Sequence, residues 1–142
     1  MITDTFEIRP RYSEVDQMGY VYHANYVDYC HQARTELMRK LGVEDSIIEE
    51  QNLILPVISF EIKYKKPAGY DKPLSITTTI KEIPKIRLNF EFEIRNEKNQ
   101  IISTAKSTIV FADKQTRLPV RVPEFVSCVL KEEFNNKLYM NN

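Results

Sequence analysis

Three glycines, two cysteines and no tryptophan stand in this 142-residue chain, and its twenty basic residues are matched by twenty acidic ones. Each scarcity excludes something. Cys30 and Cys128 lie almost a hundred positions apart without CxxC spacing, which argues against a zinc site or a redox motif and for free thiols filling core or interface space. Zero formal charge supplies no basic field for a polyanion, so nucleic acid is excluded as a general partner. The longest apolar stretches, such as residues 52–58, fall far short of the roughly 18 residues that span a bilayer. The first residues, Met-Ile-Thr-Asp-Thr-Phe-Glu, contain neither a basic nor an apolar leader segment, and the expected location is the cytoplasm.

What is present reads as one globular domain over residues 1–142: 42% of residues are hydrophobic and 28% charged, enough apolar material for a compact core without staples. Residues 4–13 alternate as a first strand, with Pro10 suiting an edge or a bulge. From about Ala24 the period changes. Tyr26, Cys30, Ala33, Leu37 and Leu41 recur at three- and four-residue steps, one apolar stripe on a long helix that Gly42 can stop. Glu36 with Arg39 or Lys40 offers charge pairs on its surface, and residues 44–51 suit a short second helix. Period two then takes over at 58–64, 74–80, 86–94 and 101–112, with a hairpin turn at Asn96–Asn99. Strict alternation gives each strand one wet face, as in an antiparallel sheet. Pro123 and Glu124 open a short terminal helix. The fold class is α+β: a curved antiparallel sheet wrapped around one long helix. Such a sheet has edges, and pairing two copies edge to edge protects them, so a homodimer or a larger homo-oligomer is expected.

The loop from Tyr12 to Tyr26 sets an acid, Asp16, and a glycine, Gly19, directly before the helix start. Unpaired N–H donors and a partial positive charge at a helix start can stabilise an oxyanion that develops on a substrate carbonyl. Taken alone, an acid in such a loop is more often a solvated or capping residue.

The surrounding pattern says more. Asp16, Gly19, Val21, Tyr22, His23, Asn25 and Tyr26 fall in the register of the hotdog-fold acyl-CoA thioesterases of the 4-hydroxybenzoyl-CoA thioesterase group, and the chain resembles that family, including its Tol-Pal-associated bacterial branch. Residues 33–36 (Ala-Arg-Thr-Glu), 64–68 (Tyr-Lys-Lys-Pro-Ala), 111–113 (Phe-Ala-Asp) and 122–124 (Val-Pro-Glu) extend the similarity over most of the chain, although Gly69-Tyr70-Asp71 shifts a glycine relative to many members. The resemblance implies a hotdog fold, hydrolysis of acyl-CoA to free acid and CoA, and no cofactor or metal. It implies Asp16 as the catalytic carboxylate, either nucleophile or general base for water. It also implies a backbone N–H of His23 for the thioester oxygen, and roles for Tyr12 and the His23 side chain. Gly19, Tyr22, Asn25 and Tyr26 become substrate-binding candidates.

This chemistry is sensible without a triad, because a thiol pKa near 8.5 makes the CoA thiolate a ready leaving group. His23 and His31 are eight apart, not the i, i+4 spacing of two ligands on one helical face, and Ser13 and Ser59 lack the esterase elbow. Between positions 63 and 72 four lysines meet a single acid. Lys63, Lys65 and Lys66, with Lys85 and Arg87, are therefore candidates for the CoA phosphates, against the ordinary alternative of solvated strand surface. Two further readings stay open: hydrolysis of acyl thioesters on acyl carrier protein, and a non-catalytic module that binds acyl thioesters.

Overall fold

The computed structural model describes residues 1–140. In chain order it contains β1 (Ile2–Ile8), a single 3-10 turn (Tyr12–Glu14), α1 (Asn25–Lys40), α2 (Asp45–Glu50), β2 (Leu53–Ile54), β3 (Val57–Tyr64), β4 (Leu74–Ile80), β5 (Arg87–Arg95), β6 (Ile101–Asp113), β7 (Pro119–Val120) and α3 (Glu124–Met140). The first strand runs earlier than the alternation suggested. It ends before Pro10, which cannot donate to a ladder, and residues 12–14 coil into the 3-10 turn. The terminal helix is long rather than short, at 17 residues. The turn at Asn96–Asn99 forms as expected, closed by the Asn99 N–H on the Asn96 carbonyl at 2.9 Å.

All pairings are antiparallel, and the main sheet runs β1-β4-β5-β6 with β3 on the far side of β6. Residues 103–109 of β6 therefore sit between two neighbours, whereas β1 and β3 are edges. α1 presents Tyr26, Tyr29, Cys30, Ala33, Leu37 and Met38 to the sheet, where they join Leu74, Ile76, Ile80, Phe90 and Ile94 in the core. Burying each large apolar side chain contributes about 1.5–3 kcal/mol, which is why the stripe, not helix propensity, fixes α1 on the sheet. Gly42 follows the helix at φ +79°, a conformation that stops it at little cost. On the surface Glu36 pairs with Arg39, while Lys40 crosses to Asp4 of β1 at 2.8 Å.

Three details depart from the sequence reading. β3 has no buried residue on either face, so Val57, Ile58 and Tyr64 stay about half exposed along the open edge. The two-residue strands β2 and β7, which flank the end of β6, carry no periodicity of their own. Of the two cysteines, Cys30 is buried and Cys128 is exposed.

Candidate active site

The acid loop is a compact turn tied at both ends. Its flanks bridge Val15 to Val21, the Asp16 N–H donates to the Tyr20 carbonyl at 2.8 Å, and the Gly19 N–H donates to the Asp16 carbonyl at 2.9 Å. Gly19 takes φ +79°, which a side chain would strain. The Val21 N–H on the Ala68 carbonyl (2.9 Å) and a bridge from Tyr20 to Gly69 hold the turn against the segment after β3. The Asp16 carboxylate is half-buried. Its Oδ1 accepts from the N–H groups of Met18 (2.9 Å) and Tyr20 (3.4 Å), and its Oδ2 has no hydrogen-bond partner among the described residues. One oxygen thus anchors the side chain and the other is free to meet water or substrate.

Glu14 organises the approach to the helix. Its carbonyl accepts from the Tyr22 N–H (2.8 Å) and from Asn25 Nδ2 (2.9 Å), while its carboxylate accepts from the Arg11 N–H (2.7 Å) and the Tyr29 hydroxyl (3.2 Å). α1 then begins with Ala24 at the cap position, where no side chain bonds the first turn. The Tyr22 carbonyl accepts from the Asn25 N–H at 2.9 Å and the His23 carbonyl from the Tyr64 hydroxyl at 2.8 Å. Among the described residues, the N–H groups of the same two peptides, those of His23 and Ala24, donate to nothing.

Asp16, His23, Tyr26, Tyr64, Lys65 and Lys66 line one open cleft of about 360 Å³, with Met18, Tyr20, Val21 and Pro67 completing its walls. Burial pushes the Tyr26 phenol up to about 12, with the Ala68 backbone pulling weakly the other way, so Tyr26 is a neutral wall at physiological pH. The cleft therefore joins a free carboxylate oxygen, His23 with its unpaired N–H, aromatic walls and two ammonium groups.

Not every candidate is gathered there. Tyr12 is exposed and packs edge-on against Tyr70 (5.8 Å between ring centres), outside the cleft walls. Tyr22 lies against the His23 ring at 4.4 Å, and Asn25 spends its amide on Glu14. Gly19 faces a neighbouring hollow with Gly69. Lys63 points to the outer face of the sheet beside Lys106, and Lys85 with Arg87 lines a separate hollow at the β4–β5 connection. His31, exposed, accepts at Nδ1 from Arg34 Nη2 (3.1 Å) beside yet another hollow, under α2. Among the described residues no three His, Cys, Asp or Glu side chains converge as metal ligands would. The sequence reading missed Tyr64 as a site residue, although its apolar-face position in β3 places it toward α1 and the site.

Residues 10–130 match the Thioesterase-like superfamily. The chain belongs to that family. Acyl-CoA thioesterase YbgC of Haemophilus influenzae is 30% identical over 123 residues, 86% of this chain and 90% of that protein. The Bacillus subtilis protein YneP, provisionally named an acyl-CoA thioesterase, is 34% identical over 115 residues, 81% of this chain and 83% of its own. In three dimensions the chain is similar to the DHNA-CoA thioesterase of Staphylococcus aureus, at 30% identity and a TM-score of 0.87 over 100% of this chain and 95% of that one. The α+β hotdog architecture expected from the residue pattern is the fold that this family membership and the antiparallel sheet establish.

Proposed function

We propose that the protein is an acyl-CoA thioesterase, one hotdog domain over residues 1–142, hydrolysing acyl-CoA to free acid and CoA in the Asp16–His23 cleft. The observation that carries this reading is the meeting, in one cleft, of an unengaged carboxylate oxygen and His23, whose N–H before the helix start is unpaired. The thioester oxygen sits on the His23 N–H and becomes an oxyanion as the carbonyl carbon is attacked. Asp16 acts in one of two ways: Oδ2 takes a proton from water as the water oxygen bonds to the carbonyl carbon, or Oδ2 itself attacks and water later cleaves the anhydride. In both routes the tetrahedral species collapses by breaking the C–S bond, and CoA leaves as its thiolate. Lys65 and Lys66 at the rim attract the CoA phosphates, while Tyr26 and Tyr64 line the space beside the reacting carbonyl. The His23 ring, on the cleft wall, orients the thioester.

The family names of the relatives support the acyl-CoA substrate, and a 31% identical acyl-acyl carrier protein thioesterase of Arabidopsis thaliana keeps acyl carrier protein as the alternative carrier. We place the enzyme in the cytoplasm as a homodimer joined along the open β3 edge, with a dimer of dimers as the larger form; no helix among the described residues is long and apolar enough to cross a membrane. The deciding experiment follows thiol release from short, long and aryl acyl-CoAs by the wild-type protein and by Asp16→Asn, with the same acyl chains on carrier protein alongside. Release by the wild type and not by the variant is expected. Tight binding of the substrates with no release by the wild type would establish the non-catalytic binding module instead.

A further inference from the structure

The two peptides that enter α1 share an arrangement: each has its carbonyl anchored and its N–H free. The first, Tyr22–His23, is anchored locally, by the Asn25 N–H three residues on. The second, His23–Ala24, is anchored from another element altogether, by the hydroxyl of Tyr64 at the end of β3, 41 positions away. A trans peptide is planar, with its N–H directed opposite to its C=O, so whatever holds the carbonyl also aims the amide.

A helix start is ordinarily held by a Ser, Thr, Asp or Asn side chain, and such a cap would occupy the first-turn amides. Here the cap residue is Ala24, which has no capping side chain and whose carbonyl accepts from the Val27 N–H at 3.2 Å. In place of a side-chain cap, the Tyr64 hydroxyl fastens the turn from the carbonyl side.

We propose that Tyr64 is a positioning residue of the hydrolytic centre, its hydroxyl fixing the His23 carbonyl and with it the turn that presents the His23 N–H to the thioester oxygen. The proposal rests on the thioesterase reading of the cleft. The Tyr64 ring is itself held, edge-on to buried Tyr26 (5.5 Å) and to the His23 ring (6.3 Å), so the hydroxyl is presented by a braced side chain. Burial, with Cys30 nearby, pushes its phenol above the ordinary value, and it remains a donor across the pH range of assays.

The test is Tyr64→Phe, which keeps the ring and removes the donor. Tyr64 is about half exposed, at 48%, so the variant folds. Two readouts are needed: kcat and KM for an acyl-CoA, and the backbone amide proton shifts and exchange rates of His23 and Ala24 by NMR in the free protein. Expected are a clear move of the Ala24 amide, faster exchange at both positions, and a fall in kcat on the order of tenfold with KM nearly constant, below the 10²- to 10³-fold of deleting an oxyanion donor outright. Unmoved amides overturn the proposal whatever the kinetics, and so does moved amides with an intact kcat or an effect confined to KM. Should the wild type release no thiol from any acyl-CoA, the thioesterase reading fails by itself, and the proposed catalytic setting of the turn is overturned with it, while the amide shifts still report whether Tyr64 holds the turn.

Discussion

The Tyr29 hydroxyl, buried on α1, donates to the Glu14 carboxylate at 3.2 Å and so ties the core stripe of the helix to the loop that carries Asp16. The bond joins packing to chemistry. Tyr29→Phe removes the donor and leaves a partly buried carboxylate short of one partner, a loss of about 1–3 kcal/mol. An unfolding free energy from urea titration lowered by that amount, with kcat reduced less than for any change at Asp16, is the expected result; an unchanged free energy would show that Glu14 does not need the tyrosine.

At Asp16 itself, Asn is the informative replacement. The amide oxygen can still accept from the Met18 N–H, so the turn keeps its anchor, but the side chain can neither take a proton from water nor attack. Turnover should fall by at least about 10²-fold with the melting temperature nearly constant. Retention of more than a few per cent of wild-type kcat would reject the assigned role.

Much of this architecture was legible in periodicity. The stripe of Tyr26, Cys30, Ala33 and Leu37 faces the sheet as spacing required, because helical geometry ties position to direction within one element. What the chain cannot announce is which elements become neighbours. Alternation in β3 resembles that of β5, yet β5 lies between two strands and β3 lies at an edge, so the same pattern yields buried residues in one and none in the other. The basic candidates divide for the same reason. Lys65 and Lys66 follow the end of β3 and reach the cleft, Lys63 alternates to the outer face, and register carries Lys85 and Arg87 to another hollow. Tyr64 shows no role in the sequence, since its partner, the His23 carbonyl, is supplied by the fold.

That division predicts how salt and charge act on substrate binding. Lys65→Ala and Lys66→Ala should each raise KM for acyl-CoA several-fold at low ionic strength, with the effect shrinking as salt screens the rim. Lys63→Ala should leave KM and its salt dependence as they are. Steady-state kinetics at two salt concentrations check this, and equal effects at all three lysines would remove the rim from the binding scheme.

Alkali should loosen the core. Burial pushes the Cys30 thiol from 9.0 up to about 12 and the Tyr26 phenol up to about 12, and Tyr29 is raised by burial and then by Glu14. Above the ordinary values of these groups the unfolded chain has released protons that the folded chain still holds. The unfolded state then binds fewer protons, and stability falls as pH rises. Urea midpoints should be flat from about pH 7 to 8 and should decline through the window from about 9 to 12. In Cys30→Ala the early part of that decline, near the thiol's ordinary value, should flatten even though the smaller side chain lowers the whole curve. A midpoint that stays level to pH 11 in the wild type would mean these groups titrate normally.

The open edge of β3 sets the last expectation. An unpaired strand edge leaves a row of backbone donors and acceptors ready for another strand, and natural sheets guard such edges with charge, proline or a partner. β3 has Glu61, Lys63 and no proline, but its first residues are apolar and half exposed, Val57 at 51% and Ile58 at 48%. A second copy pairing antiparallel along β3 would cover these side chains and satisfy the edge in one step, through a two-fold contact that closes on itself. Ile58→Lys puts a charge in place of an exposed apolar side chain on that edge without touching the buried core, so the variant should stay folded by circular dichroism while its light-scattering mass drops to that of one chain. A wild-type mass of a single chain would remove the dimer, and an oligomeric mass retained by the variant would move the interface away from the start of β3.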